Sequence, residues 1–500
     1  MNVLLVKIGT EPGLESIVTK LKDFEPQVRT FGVTSTPVQD HPFDVRVSSS
    51  YEAMLGAHDE YLTQGLYVRP DLFRKIAKYE GQLLRMLERV AIHDLTSVKS
   101  PPPPIPQFID SVDDRSQLLL RMVAFWDFAI DLHQIDAIVA QNYGHNGWDA
   151  VIQVVAEARN IPYLFFHEVR PFLGSLYVHE NSSEIGQLEL GAQLLRVANE
   201  RFQFIDDFEM RRAKMLTQVG IGRSEGDSSA SQNARSGGRQ FLVRFKRPRT
   251  LPRRIRKSLQ RRRRNKASIT DETNAVFKKA IEGDFVFCEV QSQPNATTAV
   301  KGWMYPDQRE LLAQVAKSLP DTWKLVVKES DRQWSRMYPR RRSYWSQIAA
   351  IPNVIVVSHD RSSLAMMKQS RAVIETSYST LALEAILHGT PVLIFGVSHI
   401  NNLPNVYRVE SDEQVAAALR EINRKNVQEP SVSEIHNQLN NFVEETLRAT
   451  IPGSLSSVPS FVNDVSKESY LDQTTTKVAA VIAAWISNLP QNERSSVVAP

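Results

Sequence analysis

Short apolar runs alternate with amphipathic stretches along most of this chain, and the alternation predicts its elements. Residues 3–8 read as a strand that breaks at Gly9-Thr10-Glu11-Pro12-Gly13 and continues as a helix from Leu14. Leu83, Leu84, Leu87 and Val90 recur at helical spacing and predict a helix over 72–93; a second is predicted over 116–132. Between them, prolines at 101–104 and 106 mark a surface loop or a polyproline ligand. Residues 137–140 read as a buried strand, 142–147 as a loop, and 149–159 as a helix stopped by Asn160 and Pro162. The next strand covers 163–166, so the two strands form a parallel pair with a right-handed crossover. Ligands of such sheets lie beyond the carboxyl ends of the strands, which is where loop 142–147 and segment 167–170 fall.

The same rhythm returns further on. Strands are predicted over 285–290, 323–328, 353–357, 371–375 and 391–395, with helices over 307–319, 360–369 and 380–388 between them. That order defines a second α/β block with a parallel sheet. Residues 431–447 and 475–489 are helical in pattern, and no internal repeat is present.

Composition changes the picture in two places. A chain of 500 residues exceeds one core, so two or more domains are expected. No run of 18 apolar residues exists to span a membrane, and the first residues do not read as a signal peptide. The single cysteine, Cys288, lies in an apolar run and reads as a buried structural thiol in a reducing compartment. Net charge is +4, but residues 235–266 hold 15 basic residues and no acid, which leaves −11 on the rest. A Gly, Ser, Asn and Arg-rich linker (220–240) precedes this basic segment, whose apolar head carries Phe241, Leu242, Val243 and Phe245. The expected organisation is a domain over 1–215, linker and basic segment over 216–270, a domain over 271–425, and helices over 426–500 that could pack back on the first domain.

The chemistry concentrates in residues 371–396, RAVIETSYSTLALEAILHGTPVLIFG. A strand ends in a polar turn, Ser379 or Thr380 caps a helix, and Gly389 closes it as the left-handed residue. Such a helix start directs free N–H groups and partial positive charge beyond the strand end, where a phosphate can bind. Hydroxyls of Ser377, Ser379 and Thr380 could add bonds, and Glu384 one turn later could meet a ribose; Ser379 could equally be a structural cap only. Lys328 and Glu329 end another predicted strand, and Gln291 to Asn295 follow a third, so three polar turns converge on one sheet edge.

In their order these residues resemble a family. Gln291-x-Gln293-Pro294, Leu319-Pro320, Leu325-Val-Val-Lys-Glu329, Pro352-Asn353-Val354 and Leu383-Glu384-Ala385-x-x-x-Gly389-x-Pro391-Val392 look like the capsule polysaccharide biosynthesis proteins. That group includes Kdo-transferase-like glycosyltransferases of the GT-B fold. The likeness covers about 280–400 well and 136–172 more loosely. It implies an α/β protein of two Rossmann-like domains, with parallel sheets facing a cleft and the nucleotide sugar held mainly by the C-terminal one. Gln291, Lys328, Glu329, Ser379, Thr380 and Glu384 fall on its donor-site motifs. One departure stands out: the family's Lys-Glu-His-Pro is Lys328-Glu329-Ser330-Asp331 here, with Arg332, Arg336 or His359 as candidate replacements for the imidazole.

The implied activity is transfer of a sugar from a nucleotide-sugar substrate to a surface or capsular glycan, free or lipid-linked. No cofactor is implied and no metal-ligand spacing is present. The reaction needs a base for the acceptor hydroxyl; the candidates, in order, are His145, Glu168 and Glu11. The basic segment admits three readings: an anionic membrane contact through Phe241, Phe245, Arg253, Arg254, Arg261, Arg262, Arg263 and Arg264; a solvated tether; or, last, nucleic acid. The expected location is the cytoplasm, peripheral at the inner face of the cell membrane. The alternative is a catalytically silent GT-B-like protein that binds glycan or acts as a scaffold.

Overall fold

A computed structural model describes the chain except for residues 11–13, 35–40, 50–51, 54–67, 82, 85–111, 145–147, 169–174, 181–186, 203–211, 213–280, 294–304, 306, 331–332, 334–339, 341–342, 397, 402, 404, 425–431, 454, 456–463 and 491–500. It separates into two units, one of residues 1–212 with 444–500 and one of residues 213–443.

The first unit is built on strands β1 (Asn2–Val6), β2 (Arg29–Thr34), β3 (Val45–Ser49), β4 (Ala137–Ala140), β5 (Tyr163–Glu168), β6 (Ser175–His179) and β13 (Ile451–Pro452). Their order is β13-β6-β5-β4-β1-β2-β3. β1 to β5 are mutually parallel, and β6 and β13 are antiparallel additions at one edge. Val3, Leu4, Leu5 and Val6 are all buried, as expected of a strand covered on both faces. The helices are α1 (Ser16–Phe24), α2 (Pro70–Ile76), α3 (Val112–Leu132), α4 (Trp148–Ala158) and α5 (Glu189–Phe202). The long C-terminal helix α12 (Asp464–Asn488) completes this unit. Its Val478, Val481, Ile482 and Trp485 share a core with Val3, Leu5, Ile17 and Leu21. Lys20 ties α1 to α12 through bonds to Asp472, Thr475 and Thr476.

Three expectations change here. The helix expected over 72–93 is α2 followed by a 3-10 turn, Ala77–Tyr79; residues 85–93 lie outside the described residues. β2 and β3 were not expected, because Arg29, Thr30, Gly32, Arg46 and Ser48 interrupt or dilute their apolar pattern, nor was β6, whose apolar core is only Leu176 to Val178. The first sheet is therefore mixed rather than wholly parallel.

The second unit holds β7 (Phe285–Val290), β8 (Lys324–Glu329), β9 (Val354–Val357), β10 (Ala372–Glu375), β11 (Val392–Ile394) and β12 (Val406–Arg408). Every pairing is parallel, in the order β9-β8-β7-β10-β11-β12. This is the doubly wound 3-2-1-4-5-6 order, which reverses between β7 and β10. Helices α6 (Gln308–Ser318), α7 (Tyr344–Ala349) and α10 (Asp412–Arg424) bury Leu311, Leu312, Ile348, Val415 and Leu419 against Val286, Leu325, Ile374 and Leu393. Helices α8 (Ser363–Gln369) and α9 (Thr380–Leu387) follow β9 and β10, and α11 (Val432–Ala449) spans the division between the units. Cys288 is buried as expected, and burial pushes its thiol well up.

Candidate functional site

The reversal point of the second sheet collects most of the polar residues that the sequence singles out. Asp307 caps α6 by accepting the Arg309 N–H, and this fixes the next residue, Gln308, under the end of β7. Gln308 then clamps Gln291 at both backbone groups: Oε1 accepts the Gln291 N–H at 2.7 Å and Nε2 donates to its carbonyl at 2.9 Å. The Gln291 side chain reaches across to β10, where Nε2 donates to Glu375 Oε2 at 2.8 Å. The other carboxylate oxygen of Glu375 accepts from the Ser379 hydroxyl. Ser379 is the N-cap of α9, its Oγ accepting the Ala382 N–H at 3.0 Å. Gly389, at φ +77°, ends the helix in the left-handed region as predicted.

Glu375 is one of the site residues that sequence reasoning missed. It is 1% exposed, with two neutral donors and no ion-pair partner among the described residues. Burial pushes its carboxyl up to about 8, against the opposing bonds from Ser379 and Gln291. One signal for it was legible: an acid closes the otherwise apolar strand Ala372-Val373-Ile374.

Lys328 and Glu329 are consecutive in β8, and the pleat sends their side chains to opposite faces. Lys328 Nζ donates to Ser363 Oγ at 2.7 Å and pairs with Glu289 at 3.4 Å; its side chain is 2% exposed. Glu329 forms a side-on fork with Arg340, Nε to Oε2 at 2.9 Å and Nη2 to Oε1 at 3.0 Å. Arg340 also donates to Gln293 Oε1 at 2.7 Å and to the Gln291 carbonyl at 2.9 Å, and stacks over Tyr344. Burial pushes the Glu329 carboxyl up, while Arg340 and the Ser330 N–H oppose it. Burial also works against the Arg340 charge, but Tyr344 and Glu329 hold its proton more tightly than usual. The fork geometry keeps this pair ionised. Both carboxylate and lysine are thus engaged within the protein. Arg340 had no signal in sequence, since it opens a run of three arginines that reads as surface.

Ser330, which replaces the expected imidazole, lies 3.2 Å from Ser292 Oγ and accepts the Gln333 N–H at 3.3 Å. Ser377 is fully buried, Thr380 is exposed at the first position of α9, and Glu384 is partly exposed one turn on. The network thus joins Gln291, Glu329 and Ser379 through Arg340 and Glu375, and leaves Lys328 on a separate ion pair.

In the first unit the sheet order reverses between β1 and β4. Glu168 ends β5, while His145 and Glu11 lie outside the described residues. Beside Glu168, buried His167 meets Tyr143 edge-on at 5.1 Å between ring centroids. Phe241, Phe245 and the arginines of the basic segment also lie outside the described residues. Among the described residues no group of three metal-binding side chains occurs, and no helix is long and apolar enough to cross a membrane.

Fold and site define a protein of two Rossmann-like α/β units, the second with its polar residues gathered at the β7–β10 reversal. Residues 288–402 match the family described as "Capsule polysaccharide biosynthesis protein", the family that the motifs of this stretch resemble. No curated protein matches the chain. Similar solved structures include the UDP-GlcNAc 2-epimerase of Neisseria meningitidis bound to UDP-GlcNAc, at 8% identity and TM-score 0.25, covering 98% of this chain and 100% of that one. Another is Thermosulfurimonas dismutans KpsC, a beta Kdo 2,4 transferase, at 11% identity and TM-score 0.25, covering 57% of this chain and 79% of that one. The UDP-GlcNAc 2-epimerase of Methanocaldococcus jannaschii is similar at 11% identity and TM-score 0.27, covering 88% and 100%.

Proposed function

We propose that the chain is a glycosyltransferase that moves a sugar from a nucleotide-sugar donor to a surface or capsular glycan. One observation carries this reading: Gln291, Glu375 and Ser379 are bonded together at the reversal point of a doubly wound sheet, inside the stretch that matches a capsule biosynthesis family. Such reversal points receive ligands beyond the strand ends. The start of α9 offers N–H groups and partial positive charge to a donor phosphate, with the Thr380 hydroxyl at its first position. The same groups would stabilise the departing nucleotide phosphate, so the transfer is proposed to need no metal. The acceptor hydroxyl loses its proton to a base of the first unit, with His145 first, then Glu168, then Glu11.

A thermal-shift screen against CMP-, UDP-, GDP- and dTDP-sugars tests the donor, because a ligand of the folded state raises apparent stability. The reading expects one nucleotide class to shift the midpoint, and expects transfer or slow hydrolysis with it that survives EDTA. It also expects His145→Ala to lower turnover with donor binding intact. No shift with any of the four classes would reject it.

A second reading, a silent GT-B-like glycan-binding or scaffold protein, is favoured by a specific observation. Lys328 and Glu329 are both held in internal pairs, and Ser330 stands where the family's imidazole is expected. Binding without hydrolysis or transfer would select it. In either case the basic segment at 235–266 is proposed to hold the protein on anionic lipid at the inner face of the membrane. Co-sedimentation with anionic but not neutral liposomes is the expected result.

A further inference from the structure

The buried acid at the end of β10 has a place in the molecule that ion pairing does not explain. The neighbouring acids each have a cation: buried Glu329 has Arg340, and partly exposed Glu289 has Lys328. Glu375 has an amide and a hydroxyl. The titratable groups on the elements packed against it supply no counter-charge. On β7 they are Glu289, whose charge pushes the Glu375 carboxyl further up, and Cys288, whose thiol burial keeps neutral. β11 (Val392–Ile394) carries none, and α9 carries only Glu384, with His388 just past its end. A carboxylate enclosed this way has lost its water without gaining a counter-charge among the described residues.

Its neighbours accommodate the proton. Gln291 Oε1 is buried and has no hydrogen-bond partner among the described residues. Turning that amide over brings the unpaired oxygen to Glu375, where a protonated carboxyl would donate to it. The Ser379 hydroxyl still donates to the second carboxyl oxygen, so both carboxyl oxygens stay bonded, and the unpaired atom of the turned amide is Nε2 in place of Oε1.

We infer that Glu375 is a positioning residue that works as the neutral carboxylic acid, setting Gln291 and Ser379 and keeping negative charge away from the start of α9 while an anion is bound there. The inference rests on the donor-site reading above. A carboxylate beneath the helix start would compete with a phosphate for the same partial charge, so phosphate binding and retention of this proton favour each other. The position near 8 agrees with that state at neutral pH. The sign follows directly. A carboxyl whose proton is held more tightly in the folded than in the unfolded chain makes stability fall as pH rises between its unfolded value of 4.5 and its folded value of about 8.

The test uses the full chain, Glu375→Gln and Glu375→Ala. Difference infrared spectra of the wild type without ligand should show a protonated-carboxyl carbonyl stretch at neutral pH that Glu375→Gln removes. Between about pH 5 and pH 7 the wild-type unfolding constant should rise about tenfold more per pH unit than that of Glu375→Gln. Binding of UDP, with CMP in parallel, should weaken above about pH 8 by up to tenfold per unit in the wild type and stay flat in Glu375→Gln, since the phosphates are fully ionised there. Gln should also restore to Glu375→Ala the binding that Ala loses. An absent infrared band, or equal stability slopes, overturns the inference. A band and a slope as expected, with no nucleotide bound at any pH, instead reject the donor-site reading and with it the coupling to phosphate.

Discussion

The two sheets reverse order at corresponding places, β1–β4 in the first unit and β7–β10 in the second, yet the two corners are held by different means. At the first, backbone shape and close contact do the holding. Lys7 and Gly9 lie at φ 60° and +70°, Thr10 bonds back to the Lys7 carbonyl, and the Lys7 ammonium sits 4.8 Å over the Trp148 ring. A Cβ on Gly144 would fall 2.3 Å from the Ala150 Cα, so this loop reaches α4 only because it lacks a side chain. At the second corner, side chains from β7, β8 and β10 and the cap of α9 hold one another by hydrogen bonds and ion pairs. A sterically held corner fails by overlap. A polar corner fails when one partner leaves and its mate stays buried and unpaired.

That difference ranks the experiments. Arg340→Ala should have the largest effect, about 3–5 kcal/mol of unfolding free energy, because it abandons a buried carboxylate. Urea denaturation measures it, and adding Glu329→Gln should recover much of the loss; a change under about 1 kcal/mol would mean the fork is solvated and the contrast false. Gly144→Ala should cost about 1–3 kcal/mol through overlap with α4, with no rescue by any polar change. Smallest are the two helix caps. Ser362→Ala and Ser379→Ala each remove an Oγ that accepts an N–H three residues on, at 3.2 and 3.0 Å; the first should cost about 1 kcal/mol and the second about 1–2 kcal/mol, because it also takes a donor from buried Glu375. Only Ser379→Ala should also weaken nucleotide binding, read as a smaller thermal shift. Equal losses of binding in both, or in neither, would remove the special standing of α9.

Much of the second unit was legible because most of its strands are continuous apolar runs, with charged residues near their ends, and its breaks carry strong local signals. Residues 285–290 were bounded correctly, Ser379 caps α9, and Gly389 ends it. The first unit was harder to read where strands carry polar residues: Gly32 in β2 is needed because Phe43 occupies the space a Cβ would fill, a reason no local pattern announces. In the candidate site, Gln291 and Ser379 were visible as polar residues after apolar strands, whereas Arg340 was hidden in an arginine run. Lys328 and Glu329 looked like one feature and are two, since neighbours in a strand face opposite ways.

By itself, the order of residues determined the alternation of strands and helices, the parallel second sheet, the cap and stop of α9, the match of residues 288–402 to a capsule biosynthesis family, and the concentration of charge at 235–266. These depend on period, turn chemistry and composition, which act over a few residues. Tertiary structure alone decided which charges are paired. Among the described residues it gave Glu329 an arginine, Lys328 a glutamate, and Glu375 an amide and a hydroxyl but no cation. A carboxyl's proton depends on the water and cations within a few ångströms, and folding brings those neighbours together from residues as far as 84 positions apart.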